Sequence, residues 1–439
     1  MTDRSQNPRL VAYRLLLRCE SDRVYSNLVL DTAIRRSHLS ASDRGLLTAL
    51  VYGAIERKLT LNHIIEQLSD RPVRDIDMEA LVLLRMGLYQ LRYMDRIPAH
   101  AALNETVALA SGRYRGFVNA LLRRYTRQSE ALVFPDHEND PLGYLSVTYS
   151  VPTPLCDRFV EMFGYERAER ELSAMNRPSP LTLRVNTLKT AKEALESKLR
   201  EKGYTVLPAS HAPSALRVES GNPTALPGFE GGEFFVQDEA SQLCVLAVDA
   251  KPGMRVLDLC ACPGSKSFGM AIEMQNTGEL TAFDLHENKL SLIASGASRL
   301  GIENIRTAAR DGRHLDAALA GCADRVLCDV PCSGYGVLSK KPEIRYKDLS
   351  EADRLPDIQL SILENASRYV TSGGVLVYST CTLLPEENEG NVARFLQKHP
   401  EFLPCDFTVG DLSSENGMLT LTPAEHGTDG FFIAKLIKE

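Results

Sequence analysis

The chain is short of several things, and each absence narrows its function. No apolar run in the 439 residues approaches the ~20 needed to cross a bilayer, so a membrane protein is not expected. The opening MTDRSQNPRL lacks the charged start and apolar stretch of a secretory signal, which leaves the protein expected in the cytoplasm, where it is made. Cysteine is sparse. Ten cysteines spread over 439 residues lack the density of a disulfide scaffold, and in a reducing compartment thiols serve catalysis, metal binding or packing. Cys260 and Cys262 form a close pair, but no second CxxC or paired histidine follows, so no metal site is expected. Internal repeats and low-complexity tracts are also missing.

Positive charge is scarce overall, with a net charge of −7. That average argues against a nucleic-acid partner, yet it hides a division. Residues 1–130 carry 20 Arg and Lys against 14 Asp and Glu, and 19 of those cations are Arg, with Lys58 alone as Lys. The planar guanidinium suits phosphate and base stacking, so the bias favours an RNA partner, with a solvated helical surface as the plainer reading.

From Pro8 to Arg127 apolar residues recur at helical spacing, as in Leu46, Leu47, Leu50, Val51 and Ala54, or Leu84, Leu88 and Leu91. An all-α domain over residues 1–133 is expected, with helix starts at Ser42 with Asp43 and at Asp77, and punctuation at Pro98 and Gly112. Residues 134–154 hold Pro135, Pro141, Gly143, Pro152 and Pro154 and read as a linker. Residues 155–250 mix helical patterns, Cys156–Phe163 and Ala191–Lys202, with β-rich pieces, Leu181–Val185 and Glu233–Val236, giving a small α+β segment. Over 251–439, strands alternate with helices: Val256–Leu259, Leu280–Asp284, Arg306–Ala309, Val326–Asp329 and Val375–Ser379. The fold class is α/β, a Rossmann-like parallel sheet that binds ligands at the carboxyl ends of its strands.

The first strand runs into Asp258-Leu259-Cys260-Ala261-Cys262-Pro263-Gly264-Ser265-Lys266-Ser267. Small residues there let the backbone approach a ligand at a helix N-terminus, although the turn is neither GxGxxG nor a P-loop. Asp284 ends the second strand, twenty residues past Gly264, where an acid can bind ribose hydroxyls. Asp311 ends the third and is placed to meet an adenine. With Asp258, three acids at successive strand ends fit an adenosine.

The fourth strand ends in Asp329-Val330-Pro331-Cys332-Ser333-Gly334 and the fifth in Ser379-Thr380-Cys381-Thr382, so two thiols face one crevice. Cys19, Cys156, Cys244, Cys322, Cys328 and Cys405 read as packing residues. A thiol pair at a cofactor crevice fits methylation of cytosine carbon 5, a poor nucleophile until a thiolate adds to carbon 6. Asp329 can assist at ring nitrogen 3, and a cation such as Lys266 can favour the thiolate.

These residues resemble the RNA cytosine-C5 methyltransferases of the NOL1/NOP2/Sun family. The resemblance rests on DVPCSG at 329–334 and STCTLLPEENE at 379–389, with further matches at Arg184-Val185-Asn186-Thr187, Val236-Gln237-Asp238-Glu239-Ala240-Ser241 and Gly427-Thr428-Asp429-Gly430-Phe431-Phe432. It implies a class I methyltransferase sheet in which Cys381 is the nucleophile and Cys332 assists product release. It also implies that S-adenosyl-L-methionine is the methyl donor, held by Cys260 through Lys266, Asp284, Asp311 and Asp329. Arg184 and Asn186 become candidate RNA contacts. Residues 1–130 look like a NusB-type RNA-binding domain, which directs the expected activity to 16S rRNA, or a small-subunit assembly intermediate, at nucleotide 967. A monomer is expected. The turn departs from the family's CAAPGGKT: Cys262 replaces an alanine, Ser265 a glycine and Ser267 a threonine, and Ser265 is the one that puts cofactor approach in question.

Other readings are another RNA target, a DNA cytosine-C5 methyltransferase with its nucleophile in the fourth-strand Pro-Cys, and a non-catalytic RNA-binding or ribosome-assembly factor. An amino methyltransferase is disfavoured, because DVPCSG replaces its Asp/Asn-Pro-Pro-aromatic loop.

Overall fold

The computed structural model describes residues 7–22 and 26–439. Contacts divide the chain into two units: residues 1–177 with 338–347, and residues 178–337 with 348–439.

The first unit is helical. Its first half includes the helices Pro8–Asp22, Ala41–Glu56, Lys58–Ser69, Met78–Tyr93, Ala99–Leu109 and Gly112–Gln128, which enclose a core of Leu47, Leu50, Leu61, Ile64, Leu84, Leu88 and Leu122. Asp77 caps Met78–Tyr93 by accepting from Glu79 N at 3.1 Å. The start expected at Ser42 falls two residues earlier, because the Ser40 hydroxyl accepts the Asp43 N–H at 3.1 Å. Several arginines are spent internally: Arg85 pairs with Glu20 at 2.9 Å and reaches Asn62, and Arg9 reaches Gln90.

The stretch expected to be a linker is partly helical. Pro141–Tyr149 is a helix capped by Asp140, and Thr153–Phe163 follows, with Tyr165–Met175 behind it. Pro141 and Pro154 sit in first turns, where the missing N–H costs nothing, so prolines that read as breakers mark starts. The expected α+β segment also divides, since its helices before residue 178 belong to the first unit. The excursion 338–347 joins the same unit. There Arg345, 1% exposed, donates to the carbonyls of Glu56, Tyr149, Ser150 and Leu338 and to Asn176 Oδ1.

The second unit holds two main sheets. A small antiparallel sheet comprises β1 (Leu181–Val185), β2 (Val206–Leu207), β3 (Ala215–Val218) and β4 (Phe234–Val236), in the order β2-β3-β1-β4. The large sheet contains β5 (Arg255–Asp258), β6 (Glu279–Asp284), β7 (Ile305–Ala309), β8 (Ala323–Asp329), β9 (Val370–Thr380) and β10 (Phe402–Pro404). A hairpin of β11 (Thr408–Val409) and β12 (Leu412–Ser413) stands apart, and β13 (Met418–Leu421) and β14 (Phe431–Lys438) return to the large sheet. The order is β10-β14-β9-β8-β5-β6-β7, with β7 to β9 parallel and β14 antiparallel to β9. Both faces are covered. Leu327, Val375 and Val377 pack on one side and Val326, Cys328, Leu376 and Tyr378 on the other, which is why these strands read as continuous apolar runs. Chain order reverses between β5 and β8, so the crevice for a ligand opens at their carboxyl ends.

Candidate active site

Strand β5 ends at Asp258, and the turn after it leads into the helix Ser265–Glu273. Ala261 N donates to Phe283 O at 2.8 Å and Gly264 N to Ala261 O at 2.7 Å, which fixes the turn against β6. Gly264 is the residue in the left-handed region, with φ +108°, and a Cβ there would meet the Phe268 ring at 2.7 Å. Ser265 opens the helix and needs no glycine freedom, so replacing the family's glycine leaves the backbone path unstrained.

Acids converge on this turn. Asp258 is 1% exposed; its Oδ2 accepts from Ser267 Oγ at 2.6 Å, and its Oδ1 is buried without a hydrogen-bond partner among the described residues. Burial, with Asp329 nearby, pushes its carboxyl up to about 7. Asp284 accepts from His286 N at 2.9 Å and from Cys262 N at 3.3 Å. Asp311 has both oxygens engaged by the Arg313 guanidinium at 2.6–3.1 Å, and this pairing holds its carboxyl down at about 2. Burial, then the charges of Asp258, Asp329, Asp284 and Asp311, keep the Cys260 thiol protonated. All four carboxylates therefore share one neighbourhood.

The thiol pair lies beside it. Cys332 follows β8, Cys381 follows β9, and their sulfurs are 3.2 Å apart. Asp329 joins the thiols to the turn: its Oδ2 pairs with Lys266 Nζ at 2.7 Å and its Oδ1 accepts from Ser379 Oγ at 2.9 Å. Burial opposes the Lys266 charge, but Asp329 and the thiols of Cys244 and Cys381 outweigh it and hold the ammonium above its ordinary range. Its Nζ also sits over the Phe431 ring at 5.0 Å from the centroid. Cys332 differs from its neighbour in surroundings. Its hydrogen bond with Cys381, then burial, then the charges of Cys381 and lastly Glu387, push its thiol well above the usual range, so at neutral pH it carries its proton.

Backbone contacts set the spacing. Gly336 N donates to Cys381 O at 3.0 Å, Gly430 N donates to Gly336 O at 2.8 Å, and Ser333 Oγ meets Thr382 Oγ1 at 2.7 Å. Glu387 accepts from Ser333 N at 3.0 Å and from Gln359 Nε2 at 2.7 Å. Ser379, Gly336, Phe431 and Glu387 were not singled out from the sequence, although three of them lie in the quoted motifs.

Two expected RNA contacts need correction. Arg184 is 1% exposed and pairs with Glu273 at 2.7 Å, and Asn186 is fully buried, donating to Gly232 O and Leu300 O. Their polar groups tie the small sheet to the helices Ser265–Glu273 and Glu287–Leu300, so neither side chain faces a nucleic acid.

The turn fits a cofactor that carries an adenosine, through the helix N-terminus behind Gly264, the Asp284 carboxylate and small residues that leave the backbone approachable. Among the described residues no cluster of three or more His, Cys, Asp or Glu could hold a metal ion.

Comparisons with known proteins agree in outline. Residues 245–437 match the model of the 16S rRNA methyltransferase RsmB/F family, residues 6–127 that of the NusB family, and residues 151–225 a ferredoxin-like domain of RsmF/B-like methyltransferases. A probable ribosomal RNA small subunit methyltransferase B of Bacillus subtilis is 36% identical, over 98% of each chain. One from Synechocystis is 37% identical, over 98% of this chain and 99% of its own. Among solved structures, PH0851 aligns with a TM-score of 0.81 at 26% identity, over 98% of this chain and 99% of its own. NSun6 from Pyrococcus horikoshii with SFG gives 0.60 at 25% identity, over 65% of this chain and 98% of its own. With relatives this similar along nearly its whole length, the chain belongs to the ribosomal RNA small subunit methyltransferase B family.

Proposed function

We propose that this methyltransferase transfers a methyl group from S-adenosylmethionine to carbon 5 of one cytosine in 16S rRNA, nucleotide 967, through a covalent bond between Cys381 and carbon 6. The observation that carries the reading is the pair of thiols 3.2 Å apart beside the Asp329–Lys266 ion pair. A thiol hydrogen-bonded to a second sulfur stabilises negative charge on it, and Lys266 adds a cation, so Cys381 becomes the better nucleophile.

The Cys381 thiolate adds to carbon 6 while ring nitrogen 3 takes a proton from water, and Asp329, fixed by Lys266 and Ser379, accepts a hydrogen bond from that N–H as the ring becomes enamine-like, the proton returning to water when the adduct breaks down. S-adenosylmethionine, when bound, would supply the methyl group to carbon 5, its sulfonium S–CH3 bond breaking to leave the neutral thioether. The proton on carbon 5 then passes to water, the Cys381–carbon 6 bond breaks, and the Cys332 S–H stabilises the departing thiolate. The turn from Cys260 through Lys266, with Asp284 and Asp311, is assigned to the cofactor. The arginine-rich helices serve the RNA, free or in a small-subunit assembly intermediate, with the protein acting as a monomer.

Purified protein should transfer labelled methyl from S-adenosylmethionine to unmodified 16S rRNA, with bisulfite sequencing marking a single new protected cytosine. Tight RNA binding without transfer would favour an assembly factor instead.

A further inference from the structure

Glu387 is a buried carboxyl, 1% exposed, that the proposed chemistry leaves unused. Among the described residues it pairs with no Lys or Arg. Its Oε2 accepts from the Ser333 N–H, the peptide that follows Cys332, and from Gln359 Nε2, which also donates to Pro331 O at 3.0 Å on the other side of the same thiol. Its Oε1 is buried and has no hydrogen-bond partner among the described residues. The Tyr378 hydroxyl, from β9, donates to its main-chain oxygen. One side chain in the Cys381 loop thus grips the loop that carries Cys332.

A buried acid without a cation is costly, so a group kept in this state invites a functional account. We propose that Glu387 is a positioning residue that assigns the charge within the thiol pair: its carboxylate keeps the proton on Cys332 and leaves Cys381 as the thiolate. This inference rests on the reading of Cys381 as nucleophile and adds what selects it. Two equivalent thiols would share the charge, and a thiolate on Cys332 would attack from the wrong loop.

Cys332 is acted on by Cys381 and Glu387, and Glu387 in turn acts on Tyr335 and Tyr378. Burial pushes the Glu387 carboxyl up, while the Ser333 and Gln359 donors pull it back. The Lys266 ammonium acts on Cys381 and the Glu387 carboxylate on Cys332, so the two charges polarise the pair in one direction.

The test is alkylation of full-length protein by iodoacetamide across neutral to alkaline pH, without RNA, read at each cysteine by peptide mass spectrometry. In wild type Cys381 should react first at neutral pH. Glu387→Gln keeps an acceptor for Ser333 but removes the charge; Cys332 should then alkylate about ten-fold faster at neutral pH, its profile moving to lower pH. Glu387→Asp should keep the wild-type profile. Unchanged S-adenosylmethionine affinity establishes that each variant is folded. An unshifted Cys332 profile in Glu387→Gln would overturn the proposal. So would a wild type in which Cys332 reacts first, a result that needs no variant to fold. Failure of the cytosine chemistry itself appears separately, as a normal alkylation shift in protein that transfers no methyl to RNA.

Discussion

The sulfurs of Cys332 and Cys381 stand 3.2 Å apart at the ends of adjacent parallel strands. The Gly336 amide holds the Cys381 carbonyl, and Glu387 holds the peptide after Cys332. The pair is therefore fixed by a backbone amide on one side and a side-chain carboxylate on the other, and its chemistry depends on charges around it that substitution can change one at a time.

Lys266 supplies a cation that acts on that pair through Cys381. Lys266→Met should cut methyl transfer at neutral pH by about ten- to a hundred-fold and move the pH-rate profile to the alkaline side, since the thiolate then forms only at higher pH. Initial rates across pH check this. A lower rate with an unmoved profile would mean that Lys266 only positions Asp329.

Gly336 is a spacing device. A Cβ at this position would overlap the Gly430 carbonyl and lie 2.8 Å from Cys381 O. Gly336→Ala should destabilise the protein by about 1–3 kcal/mol and lower turnover by more than that loss explains, while leaving S-adenosylmethionine binding within a few-fold of wild type. Urea unfolding alongside single-turnover kinetics separates the two effects.

Asp258 gives a pH dependence with a definite sign. Its carboxyl is raised from 3.8 to about 7 in the folded protein, so the folded state binds the proton more tightly than the unfolded chain. The stability this confers is fully present below the unfolded value and is lost as pH rises through about 7. Asp258→Asn does not titrate. Its stability advantage over wild type should grow from acid pH to neutrality by up to about 4 kcal/mol and then level off. Melting temperatures of both proteins across that range test it, and a constant difference would contradict it.

Arg184 belongs to stability. Arg184→Ala leaves the Glu273 carboxylate without its partner; because Glu273 is 35% exposed and regains water, the cost falls near the lower end for buried pairs, about 3 kcal/mol. Urea unfolding should show this loss, while RNA affinity at a temperature where the variant is folded should change little. A large drop in RNA affinity would return Arg184 to the interface.

The strands from β5 to β9 were legible because a sheet covered on both faces demands continuous apolar runs, and the turn residues after them mark the ends. The acids and thiols were legible for the same reason, since strand ends in such a sheet share one crevice. What failed were inferences that depend on context beyond a short stretch. Pro141 looks like a breaker until it occupies a helical first turn. Arg184 looks like a phosphate contact until β1 carries it into the interior opposite Glu273. Ser265 seemed to replace a needed glycine, but the left-handed position belongs to Gly264. Glu387 could be seen only as one acid in an acidic run, because its partners Ser333 and Gln359 come from distant parts of the chain.

The central claim, that Cys381 attacks and Cys332 aids release, is tested most directly by incubating each variant with 16S rRNA and S-adenosylmethionine and resolving protein–RNA adducts by denaturing electrophoresis. Cys332→Ala should accumulate a covalent adduct that carries the methyl group, because the departing thiolate loses its hydrogen bond. Cys381→Ala, alone or combined with Cys332→Ala, should form none. An adduct that survives in Cys381→Ala and vanishes in Cys332→Ala would reverse the two roles and contradict the account.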